Sequence, residues 1–339
     1  MYTKARLPAF LLLLICVFAA GYSRAATLTV TKIEDTNVYT WQQTTTGDWQ
    51  APENWAPART SPAPNDVLLF NTATVTTVTN VPTQTIGQLI VSGNMTVNLQ
   101  SAGPVVLTIA GGDGADLTVA PNSALNFNGD NPIVCNLAIG TTGSISGFVR
   151  FSSSSSAAHR LTAVDASSLT FNNGGVFVTE NGFMGNPFGT TNLNSITFDS
   201  GSVYVCMAGG DPFGATEPAS VVVFKEGSLF CLQGNAGTTF FSGRTYANFE
   251  LNYPGGDPFA EGSSPLIMND LILTAGQFHY WMTGTGHRIL GNIMTQPGTR
   301  LDMQATFQGQ TITFNGPGAA NNYRSRWHRL KSGQHDRDR

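Results

Sequence analysis

One pattern constrains this chain more than any single residue does. It reads apolar, any, apolar, then two or three turn residues usually including Gly, then apolar, any, apolar. It recurs at residues 89–97, 117–127, 137–145, 169–178, 196–205, 222–231, 271–280 and 293–303. Successive starts lie 28, 20, 32, 27, 26, 49 and 22 residues apart, and the widest interval holds a degenerate copy carrying Tyr246, Phe249, Leu251 and Tyr253. Apolar alternation with period two, broken by Gly, Asn and Ser, specifies short strands. Recurrence within 20–50 residues specifies stacked units that cannot bury their apolar faces alone.

The turns repeat as well. Asn186, Pro187 and Phe188 are matched by Asp211, Pro212 and Phe213, and again by Asp257, Pro258 and Phe259, with gaps of 25 and 46 residues. Residues 234–237 stand where the missing member belongs. Asn or Asp ahead of Pro is turn chemistry, because the side chain caps its own turn while Pro fixes φ. The Phe is then expected to tuck against the coil. These registers predict an all-β chain forming a right-handed parallel β-helix of eleven to thirteen coils over residues 81–316. Its inward ladder positions would include Leu169, Phe171, Ile196, Phe198, Val222 and Phe224. The alternative fold is a pair of β-sandwich domains, which also use many short strands.

The two ends differ from the middle. Residues 1–25 read as an export signal: Lys4 and Arg6 precede an apolar core at 10–20, and Ser23 and Ala25 offer a cleavage point. Residues 26–80 read as a Trp-rich N-terminal cap, and 81–318 as the solenoid. Residues 319–339 read as a basic disordered tail, native or frameshifted, since 321–339 carry 6 of the 17 Lys and Arg. No second apolar span follows the signal. Between residues 26 and 320 there are 8 Lys and Arg against 19 Asp and Glu, which disfavours nucleic acid as a partner. Only 11% of the chain is charged, so solubility rests on hydroxyls and amides.

Cys135, Cys206 and Cys231 remain after signal removal, and an odd number excludes a fully paired framework within one molecule. Cys206 and Cys231 close adjacent copies of the pattern. They read as small buried apolar residues, with a disulfide between neighbouring coils as the alternative.

Trp49, Asn54 and Trp55, then Pro64, Asp66 and Val67, then Ile86, Leu89 and Val91 form one motif. Met282, His287 and Asn292, followed by Thr311, Phe314 and Gly316, form a second. Through these stretches the chain resembles the large exported repeat proteins of the Bacteroidota and related bacteria, and autotransporter-type passenger regions. The resemblance implies an exported, surface-associated β-helical stalk or adhesin-like protein whose partners are surface glycans or matrix. Members of that group often end in a C-terminal secretion and sorting domain, whereas here the pattern stops after Gly318.

Chemistry is sparse. Gly111, Gly112, Gly114 and Asp116 fit the start of a calcium nonapeptide, with Asp113 beside them, but Thr118 stands where a large apolar residue belongs and tandem copies are missing. A Gly-rich turn is the simpler reading, so no cofactor is expected. Asp211 with Glu217, and Asp257 with Glu261, place carboxylates near equivalent turns, as paired glycosidase or lyase acids would be. The neutral Asn186 at an equivalent position, and the lack of nearby Lys or Arg other than Lys225 and Arg244, favour turn capping. His159, His279 and His287 lack metal-ligand spacing, and His279 is expected to point outward between Phe278 and Tyr280. Trp49 and Trp55 suit either sugar stacking or closure of an open β end. The resulting expectation is a secreted or cell-surface structural protein without catalytic activity. The alternative is a carbohydrate-active β-helix: a polysaccharide-binding module, lyase or hydrolase.

Overall fold

The computed structural model describes residues 37–234, 241–303 and 312–315. The signal segment, the turn at 235–237, the tail at 319–339 and parts of the second motif lie outside the described residues. Within them the chain is a β-solenoid of about 10 turns, with a single short 3-10 helix at Pro52–Asn54. Strand order follows coil order. The first face stacks Val38–Trp41, Val67–Phe70, Gln88–Val91, Leu117–Val119, Gly143–Ile145, Leu169–Phe171, Ile196–Phe198 and Val222–Phe224. A second face of 13 strands runs from Thr46–Asp48 to Ile312–Phe314. A third face is a four-stranded sheet from Gln84–Ile86 to Arg160–Ala163, then three strands at Phe259–Ala260, Gln277–Tyr280 and Arg300–Asp302. Among the named strands every pair is parallel except Val38–Trp41 with Trp55–Ala56. The sandwich alternative, built from antiparallel sheets, is therefore overturned.

Register makes the core. Alternate residues point inward, and parallel pairing places like positions above one another about 4.8 Å apart. On the first face Phe70, Val91, Val119, Ile145, Phe171, Phe198 and Phe224 form one continuous ladder. Phe171 and Phe198 stack with centroids 4.5 Å apart. The expected ladder residues Leu169, Phe171, Ile196, Phe198, Val222 and Phe224 are all buried. On the second face the ladder runs Val97, Leu125, Val149, Phe177, Tyr204, Phe230, Phe249, Leu271 and Ile293.

Fewer coils fit than expected, because each is longer than the shortest repeat interval. First-face strands that begin at Leu117, Gly143, Leu169, Ile196 and Val222 are 26 or 27 residues apart. The irregular 20 and 32 arose because residues 137–145 straddle a corner: Leu137 ends a third-face strand, Ile133–Leu137, and the first face restarts at Gly143. Gly143 occupies an inward ladder position between Leu117 and Leu169. A Cβ there would lie 2.3 Å from Leu169 Cδ1, so the leucine fills the space the glycine leaves.

Corners between the first two faces are made by residues with positive φ, such as Asn94, Asn122, Gly174, Gly201 and Gly227. Residues 245–252 and 267–275 contain no Gly, and there the strand runs straight across the corner as Thr245–Asn252 and Ile267–Ala275. Gly291 restores the break between His287–Ile289 and Ile293–Thr295. The degenerate copy at Tyr246 is thus a true coil, and Tyr246 continues the first-face aromatic stack below Phe224.

The Trp-rich segment is continuous with the coils. Val38–Trp41 pairs with Val67–Phe70, which pairs with Gln88–Val91, so residue 81 falls inside unbroken sheets. No helix among the described residues is long and apolar enough to cross a membrane.

Candidate functional site

The Trp cluster sits at the first coil. Trp41, Trp49, Trp55 and Phe70 pack together with centroids 4.9–6.4 Å apart, Trp55 edge to face with each of the other three. Trp55 Nε1 donates to the Trp49 carbonyl, and Trp41 Nε1 to Thr76 Oγ1. Beside them Arg59 Nε donates to Asp66 Oδ2 across 2.7 Å, with both side chains buried. The guanidinium lies over Tyr39 and Trp55. Asp66 Oδ2 also accepts the Ala63 amide. Trp49 and Trp55 are buried here and present no free face to a sugar ring.

The Gly-rich turn has a structural occupation. Asp116 is buried, and its two carboxylate oxygens accept backbone amides from Gly112 (2.8 Å) and Thr142 (2.7 Å). Gln88 Nε2 reaches both Asp116 and the Asp113 carbonyl. N–H donors converge on this carboxylate and tie three coils together, which is anion chemistry. Asp113 is exposed. Similarly, Asp130 gathers the serine run: Ser153 and Ser154 hydroxyls and the Ser154 and Ser155 amides all donate to it. Those bonds hold its carboxyl at about 2, and the serine run is a pinned loop.

Two histidines act as cross-coil braces. His159 Nδ1 accepts the Ile133 amide, while Nε2 faces the Gly129 and Ser152 carbonyls. His287 repeats the arrangement with the Leu266 amide and the Thr283 carbonyl. Burial pushes His159 below the ordinary imidazole range. Sequence spacing carries no sign of this role, because the Ile133, Gly129 and Leu266 partners come from the neighbouring coil.

The cysteines are free and buried. Cys206 pairs in register with Leu232, whereas Cys231 pairs with Val205. Residues one register step apart point to opposite faces of the sheet, so the two thiols do not stack and no bridge forms. Burial raises Cys135 and Cys231 to about 12 and Cys206 to about 11, and all three are poor nucleophiles.

The four turn carboxylates have four different environments. Asp211 caps its own turn, accepting the Phe213 amide at 2.9 Å, and also pairs with Arg244 at 3.2 Å. Arg244 is buried, donates to the Ala219 and Ala215 carbonyls, and lies 4.8 Å from the Phe213 ring centroid. Arg244, one of the two bases near these acids in sequence, is the one that pairs, reaching Asp211 across 33 positions. Burial raises the Asp211 carboxyl above its usual range, opposed by the Phe213 amide and Arg244. Glu217 accepts hydroxyls from Ser242 and Ser264. An open cleft of about 190 Å³ lies beside Arg244, lined by Asn194, Pro218, Val223 and Thr245.

The third copy of the turn is different. Phe188 and Phe213 are buried in the core, as expected, but Phe259 is 41% exposed. Its ring lies parallel to the His279 imidazole, centroids 4.3 Å apart and 9° between planes. Trp281 stands edge-on to both rings. His279 points outward between the inward Phe278 and Tyr280, yet these rings cover it. Its Nε2 bonds to Asp257 and its Nδ1 to Asp302 at 3.1 Å, and Arg300 reaches Asp302 from the outer side. Asp257 is half exposed; Glu261 is exposed. Phe259, His279 and Asp302 share one ladder position on three successive coils. Among the described residues no group of three His, Cys, Asp or Glu is disposed to hold a metal ion.

Comparison of the chain with protein-family models, with curated proteins and with solved structures finds no match.

Proposed function

We propose that this is an exported structural repeat protein, secreted or held at a cell surface, which presents long solenoid faces for adhesive contact with glycans or matrix and has no catalytic activity. The observation that carries this reading is the use made of the candidate acids. Asp66, Asp116, Asp130 and Asp211 are spent on backbone amides, hydroxyls or arginine, and the last three hold neighbouring coils together. Outward ladder positions are mostly uncharged: Asn98 and Asn126 bond to each other, as do Asn136 and Thr162. Such surfaces suit repetitive, weak, multivalent contact. The basic, apolar and small-residue order of residues 1–25, and the resemblance to exported repeat proteins, support export.

Two measurements test the proposal. Intact-mass analysis of secreted material should show loss of residues 1–25, and retention of Met1 would refute export. Purified protein should adsorb to a glycan or matrix surface while turning over neither acidic nor neutral polysaccharides, with or without calcium. Turnover abolished by Asp211→Asn or Asp257→Asn would replace this reading with the carbohydrate-active one.

A further inference from the structure

The turn motif offers an internal comparison. Three copies share Asn or Asp, Pro and Phe, and two bury the ring as a core plug. Only the copy at Asp257 turns its Phe outward, and there the core beneath is filled by Phe249, Phe278 and Tyr280. The displaced ring does not drift. It is backed face to face by His279, walled by Trp281, and His279 is itself held from both sides by Asp257 and Asp302. A single exposed apolar residue needs no explanation. An exposed aromatic ring clamped by a buttressed imidazole, beside a half-exposed carboxylate two residues away, is a built surface.

We propose that Phe259, Trp281 and Asp257 bind a pyranose ring of a neutral glycan. The chemistry follows from the groups present. An aromatic face carries negative quadrupole charge and attracts the polarised C–H edge of a sugar. The outward lone pairs of Asp257 accept hydroxyl hydrogen bonds while Oδ1 stays on His279. Charge sets the class: the half-exposed Asp257 carboxylate stands two residues from the ring, and Arg300 on the strand beyond His279 is engaged by Asp302. A uronate or sulfated sugar would be repelled. His279 and Asp302 are positioning residues, since both imidazole nitrogens are occupied. This assignment rests on the surface-contact reading and names its ligand class.

The test uses the secreted full chain and calorimetric titration with neutral gluco-, manno- and galacto-oligosaccharides, an oligogalacturonate and a chitosan oligomer. Binding of at least one neutral series is expected, weakened about tenfold or more in Asp257→Ala, as the loss of a charge-assisted hydrogen bond implies, and about tenfold in Phe259→Ala, which removes the aromatic platform. Asp257→Asn, which keeps the bond to His279, should weaken binding less. Phe148→Ala, which removes a similarly exposed ring on the second face, should leave it unchanged, and melting temperatures should establish that all variants fold. Equal loss in Phe148→Ala would show generic adhesion and overturn the site. So would preference for the oligogalacturonate or the chitosan, or a Phe259-dependent dimer. Surface adsorption that survives while every oligosaccharide fails would overturn this site alone; loss of both would overturn the surface-contact reading as well.

Discussion

Asp211→Asn and Arg244→Met should have very unequal effects, although the two residues form one buried ion pair. Removing one partner of such a pair typically costs about 3–5 kcal/mol, because a charge is left without compensation. Arg244→Met should fall in that range: it strands a carboxylate that burial already raises, frees the Ala215 and Ala219 carbonyls, and uncovers the Phe213 ring. Asp211→Asn is different. Asn still caps the Phe213 amide, the desolvation cost of the carboxylate disappears, and Arg244 keeps two carbonyls and an aromatic face. The raised Asp211 carboxyl means that burial outweighs Arg244, so neutralising the group should cost about 1 kcal/mol or less. The sign follows from linkage. With its folded value above the 3.8 of the unfolded chain, Asp211 adds stability as pH falls through the folded value toward 3.8, and that gain is lost as pH rises. Asp211→Asn should remove this acid-side gain. Stability would be read by urea titration, with hydrogen exchange over residues 211–224 as the local reporter, because coils in a solenoid open in part. The double variant should recover part of the Arg244→Met loss. Equal destabilisation by the two single changes would refute the reasoning.

Three further outcomes are expected. Phe188→Ala should cost about 3–5 kcal/mol as a buried ring lost from a packed core, whereas Phe259→Ala should lower the melting temperature little, since its ring is largely outside; similar losses by thermal denaturation would contradict this. Gly143→Val should cost about 1–3 kcal/mol by overpacking against Leu169, and adding Leu169→Ala should restore part of it; a neutral Gly143→Val would show that the ladder is slack. His159 is held neutral, with its folded value below 6.5, so the stability it contributes is present above pH 6.5 and lost as pH falls below it. Melting temperature measured between pH 8 and 5 should drop in the native chain more steeply than in His159→Gln, and parallel curves would exclude the brace.

The division between what the sequence shows and what it hides follows from how a solenoid is built. Period-two apolarity and turn chemistry are local, so Leu169, Phe171, Ile196, Phe198, Val222 and Phe224 could be placed in the core from residue order alone. The coil phase slipped only where a ladder position holds Gly143 in place of an apolar side chain, which moved the apparent repeat onto the third-face strand ending at Leu137. The proposed binding surface is not local. Phe259, His279 and Asp302 are separated by 20 and 23 residues, and nothing in their immediate neighbours couples them; stacking at one ladder position does. The same holds for Asp211 with Arg244 and for Asp116 with Thr142. In a fold of this kind a side chain's chemistry is decided by what the next coil places above it, so motifs read along the chain miss columns. The Asp-Pro-Phe repeat carries the useful signal in a different form. Its third copy ends in Ala260 where the others have Gly189 and Gly214, both at positive φ, and Ala260 instead enters a strand paired with Tyr280. A strand at that point alternates sides, so once Ala260 faces the core Phe259 must face out. One Gly-to-Ala difference between repeats thus accompanies the switch of the ring from plug to platform, and replacing Ala260 with Gly is the change that should return it toward the core.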